Sequence, residues 1–114
     1  MANSEILNAL KQVRAAEKEI AGMLIAGGLT ADEQNLLQDC RDDLVDLDDK
    51  LVLEDIMQGL DALEKDAKDL QSLADKMQQA AGSLAQIATV IGDVAKVVGT
   101  LADVLSKASG AGLI

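Results

Sequence analysis

Few of the 114 side chains are of types that do chemistry, and their spacing limits what that chemistry can be. Cys40 is the single cysteine, and the chain has no His to take its proton. It follows Leu37 by three residues and precedes Leu44 by four, inside an apolar helical stripe, so it reads as a small buried hydrophobe and not as a nucleophile. Ser72, Lys76 and Ser83 supply the types for a Ser/Lys pair. Nothing nearby preorganises an oxyanion site, however, and no G-x-x-x-x-G-K loop is present to cradle a phosphate. The chain reads as non-enzymatic, with no catalytic residue and no cofactor.

Asp39, Asp42, Asp43, Asp46, Asp49 and Glu54 form the other chemically capable group, since carboxylates are the ligands calcium and magnesium prefer. A calcium loop places oxygen ligands on alternate residues and Gly at its sixth position, and no start among these acids meets that pattern. The expectation is a solvated acidic face without a metal site, on which calcium does no more than magnesium. Of the 20 Asp and Glu, 15 lie within residues 28–75, against Arg41, Lys50, Lys65 and Lys68. A net charge of -10 repels phosphate backbones, and with no Phe, Tyr or Trp there is nothing for bases to stack on, so nucleic acid is excluded as an ordinary partner. One cysteine makes no disulfide framework, and the first 25 residues mix charge with apolar residues instead of separating a basic stretch from an apolar one. Both features suggest a cytoplasmic protein; export without a cleavable signal peptide, or membrane association, is the alternative.

The elements that position these residues are helical. Proline is absent, and Ala, Leu, Asp, Lys and Gln are abundant. The length suits one domain, residues 1–114. Ile6, Leu10, Val13, Ile20 and Leu24 mark one stripe of a first helix over about 4–26, started by Asn3 or Ser4. Gly27-Gly28 ends it, and Thr30 with Glu33 forms a capping box for a second helix over 31–51. Leu37, Cys40, Leu44, Leu47 and Leu51 make the seam of that helix. Leu53, Ile56, Leu60 and Leu63 then continue on a rotated face, which predicts a break near 50–54 and a third helix over 55–79.

From Leu70 the chain repeats every seven residues: LQSLADK, MQQAAGS, LAQIATV, IGDVAKV, VGTLADV. Leu70, Met77, Leu84, Ile91, Val98 and Leu105 hold the first position, and Ala74, Ala81, Ala88, Ala95 and Ala102 the fifth. A small residue kept in register five times predicts close approach of another helix, with Gly92 and Gly99 extending the small surface. Gly82 and the Ser83–Gln86 capping box predict a turn, giving a fourth helix over 84–108, a flexible tail over 109–114 and an antiparallel up-down four-helix bundle. The alternative is a helical hairpin packed on one unbroken C-terminal helix over 55–108, a rod of about 80 Å.

The last helix carries the functional expectation. Between residues 84 and 105 its polar side chains, among them Asp93, Lys96, Thr100 and Asp103, fall in one strip about 60° wide. The apolar arc that remains is about twice what one bundle seam needs. Ile87, Ile91, Val94, Val98, Leu101 and Leu105 are therefore expected at an interface, making the chain a homo-oligomer or the binder of a protein partner. Lipid is the alternative occupant. Ten Leu, Ile and Val favour insertion by about 3–6 kcal/mol, while Asp93 and Lys96 oppose it by about 5–7 kcal/mol, so only an oligomer lining a lumen with the strip Asp93, Lys96, Thr100 and Asp103 would span a bilayer.

Overall fold

The structure, a computed structural model, describes the backbone of residues 2–79 and 83–110, and side chains within 4–79 and 84–107. Every element is helical: α1, Ala2–Ala26; α2, Ala31–Leu51; a 3-10 turn, Ile56–Gly59; α3, Leu60–Gln79; and α4, Ser83–Gly110. No strand occurs among the described residues.

The joints follow local chemistry. Gly27 and Gly28 both hold φ of 75°, the left-handed region open to glycine, and Gly27 N–H closes α1 on the carbonyl of Met23 at 3.3 Å. The box on α2 is complete. Glu33 N–H donates to Thr30 Oγ1 at 3.1 Å, and Thr30 N–H to Glu33 Oε1 at 2.9 Å. After Leu51 the chain leaves the helix, and Asp55 Oδ1 accepts from Met57 N–H at 3.1 Å to start the 3-10 turn. Gly59 is pressed against α2 there: a Cβ on it would lie 3.1 Å from Lys50 Cβ.

Three expected boundaries shift. Asn3 and Ser4 lie inside α1, which begins at Ala2. The third helix begins at Leu60, not 55, because the segment from Val52 to Gly59 is spent on the elbow. The fourth runs through Ser109 and Gly110, so these two are helical and not tail; residues 111–114 lie outside the described residues. Ala81, Gly82 and the side chain of Ser83 also lie outside them.

The helices pack in a ring in which each borders its chain neighbours and α1 also borders α4. α3 and α4 share the closest packing, and α1 is the most lightly seated. Seven residues up α4 match seven residues down α3: a Cβ at Gly92 would lie 3.9 Å from Ala74 Cβ, and one at Gly99 3.9 Å from Ala67 Cβ. The repeat is thus one seam read twice, on two antiparallel helices facing each other. That is why its phase runs through the connection without implying a rod. A rod of about 80 Å is excluded in any case by the 50 × 22 × 18 Å extent of the molecule. Leu70, Met77, Leu84, Ile91, Val98 and Leu105 all reach the core, as do Ala74, Ala88, Ala95 and Ala102.

Candidate functional site

Two regions could carry function, the apolar face of α4 and the acidic seam between α2 and α3. On α4 the side chains expected at an interface lie inside the single chain. Ile87, Ile91, Val94, Val98, Leu101 and Leu105 are each 4% exposed or less, packed inside the chain's own bundle. An arc twice the width of one seam serves two neighbours here, α3 on one side and α1 on the other. The apolar surface left over is smaller. Val90 and Val97 are half-buried and Val104 is exposed. Two clefts run along the α1–α4 border. One, of about 350 Å³, lies between Glu5 and Asn8 of α1 and Val97, Thr100 and Val104 of α4. The other, of about 550 Å³, lies between Gly22, Met23 and Ala26 and Gln86, Ile87 and Val90.

The polar strip lies where periodicity puts it. Asp93, Lys96, Thr100 and Asp103 are all exposed, and Asp103 pairs with Lys107 at 3.1 Å. Asp93 and Lys96 sit near the middle of α4, and among the described residues no helix is long and apolar enough to cross a membrane. Glycine and alanine flank the strip on the α3 side, leaving a groove between Ala67, Lys68 and Gln71 and Ala95, Lys96 and Gly99.

The acidic seam gathers residues that no single-helix reading could join. Carboxylate oxygens of Asp43 on α2 and of Asp66 and Asp69 on α3 all lie within 4.8 Å of one another. Asp66 is 5% exposed, and its Oδ2 has no hydrogen-bond partner among the described residues. Burial, a hydrogen bond shared with Asp46 and the charges of Asp46, Asp43 and Asp69 push the Asp66 carboxyl up to about 8. The same interaction holds Asp46 below the usual range, and Asp46 also pairs with Lys50 at 3.5 Å. Partial burial and then the charges of Asp69, Asp39 and Asp42 raise Asp43 to about 6, with Lys65 opposing. A groove of about 350 Å³ lined by Asp39, Asp42, Asp43, Asp69, Ser72 and Lys76 opens this cluster to solvent.

Asp66 was detectable in sequence. It falls three residues after Leu63 and four before Leu70, a carboxylate inside an apolar stripe. Cys40 is fully buried, and burial, then the charges of Asp43 and Asp39, push its thiol up to about 12. Ser72 and Lys76 both line the acidic groove. No family model, curated protein or solved structure matches the chain.

Proposed function

We propose that the protein is a non-enzymatic association module whose working surface is the apolar face of α4, with α1 as the segment that covers it in the single chain. Self-association then proceeds by exchange: α1 of one copy seats on α4 of another and buries the same side chains between chains. The observation that carries this reading is the position of α1, the most lightly seated helix, lying on the wide apolar arc of α4 and joined to α2 by a four-residue linker with two left-handed glycines. Exchange of an identical element is a low-cost route to dimers, because the contacts it forms already exist in the monomer. A helix from another protein with an apolar stripe like that of α1 would fit the same face.

Size-exclusion chromatography with light scattering tests the reading over a concentration series, with differently labelled copies mixed and warmed to follow exchange. Labels that pass into a common dimer support it. A chain that stays monomeric at every concentration, and whose labels never meet, rejects it. Liposomes in a parallel sample separate association from the lipid alternative: co-pelleting of the unmodified chain would favour lipid as the occupant of α4.

A further inference from the structure

We propose that the α2–α3 seam is a binding site for one hard divalent cation of calcium size, held by Asp43, Asp66 and Asp69. Two independent observations meet here. The first is the convergence of three carboxylates from two helices, which needs the folded chain and is more than a run of acids on one surface. The second is Asp66 itself, nineteen-twentieths buried, with Oδ2 lacking any partner among the described residues although one of its oxygens faces those of Asp43 and Asp69. A buried polar atom without a partner is costly, so such a group is retained where something else satisfies it, and a cation that displaces the Asp66 proton would satisfy this one.

The donor set selects the ion. All three donors are carboxylate oxygens, the ligands of hard cations, and neither the buried thiol of Cys40 nor any His is available for softer metals. Calcium accepts about six to eight oxygens in flexible geometry, whereas magnesium demands a near-ideal octahedron and gives up its waters reluctantly. Three carboxylate oxygens within 4.8 Å of one another, with a groove beside them for water, give such a flexible shell its protein ligands. The groove past Asp39, Asp42 and Ser72 gives the ion a route in and leaves room for the waters that complete its shell. Lys65 and Lys76 sit close enough to oppose binding, so the expected affinity is modest, a Kd of about 0.1–1 mM.

Isothermal titration of the chelator-treated full chain with calcium chloride, at fixed ionic strength and a pH just above the Asp66 value of about 8, is the test, repeated with magnesium chloride. The expected result is one calcium site per chain with weaker magnesium binding. Asp69→Asn and Asp66→Asn should each weaken calcium by about tenfold or more. Asp61→Asn, which removes the same charge from the start of α3, should leave it unchanged. Circular dichroism of each variant verifies the fold, and Asp69→Asn, at a position less buried than Asp66, keeps the test valid if Asp66→Asn fails to fold. Heats no larger than those of matched sodium chloride, or equal weakening by Asp61→Asn, would show only diffuse screening of an acidic surface and overturn the proposal.

Discussion

At the scale of single residues, burial decides which side chains are chemically alive. Cys40 is fully enclosed and its thiol stays protonated, so a thiol reagent should label the native chain far more slowly than the unfolded one. Equal labelling rates in buffer and in denaturant would show that the thiol is reachable. Glu17 behaves differently from an ordinary surface acid. Partial burial, then a hydrogen bond and charge repulsion from Asp48, push it up to about 7 against the pull of Arg14, and Asp49 adds to the repulsion. Asp43 at about 6 and Asp66 at about 8 move in the same direction. A carboxyl raised on folding binds its proton more tightly in the folded state, so its ionisation destabilises the fold above the folded value, and the penalty vanishes below the unfolded one. With divalent ions chelated, the melting temperature should therefore rise as pH falls from about 8 to about 5, and Asp66→Asn should raise it at pH 8 more than at pH 5. Thermal melts followed by circular dichroism measure both, and a melting temperature that falls over that window would refute the assignment of these three carboxyls.

At the scale of elements, the seven-residue seam between α3 and α4 carries the closest packing, and its glycines are not sterically demanded. A Cβ at Gly92 or Gly99 would sit 3.9 Å from Ala74 or Ala67, ordinary contact distance. Replacing a mid-helix glycine by alanine favours the helix by about 0.5–1 kcal/mol, so Gly92→Ala and Gly99→Ala should each stabilise the chain by about that amount in urea titrations. Ala95→Leu, by contrast, forces a large side chain into a seam built for small ones and should cost about 1–3 kcal/mol. Destabilisation by the two glycine replacements would mean the helices approach more closely than described. The seam was legible in sequence because position one and position five repeat without interruption. The elbow was less so: Leu53, Ile56 and Leu60 keep helical spacing, yet Leu53 is exposed and the other two are half-buried, since periodicity does not register that Gly59 must press against Lys50. The carboxylate cluster was hidden for a related reason. Spacing along α2 says nothing of which residues of α3 will face it, and Asp43 meets Asp69 only through the antiparallel register.

At the scale of the whole molecule, the wide apolar arc of α4 needs cover, and spacing along one helix does not say which element supplies it. Ile87, Val94 and Leu101 were expected between chains and are packed within one, because α4 borders α1 as well as α3. A single chain satisfies the arc, and an exchanged dimer would satisfy it equally. What separates the two states is the turn at Gly27 and Gly28, whose φ of 75° at each costs alanine about 1–2 kcal/mol. Light scattering of the Gly27→Ala, Gly28→Ala double variant is the most direct measurement of the proposed exchange. Strain in the closed turn should drive α1 and α2 towards one continuous helix, so the account predicts a helical dimer at concentrations where the unmodified chain is less associated. A variant that melts earlier yet remains monomeric throughout would contradict it.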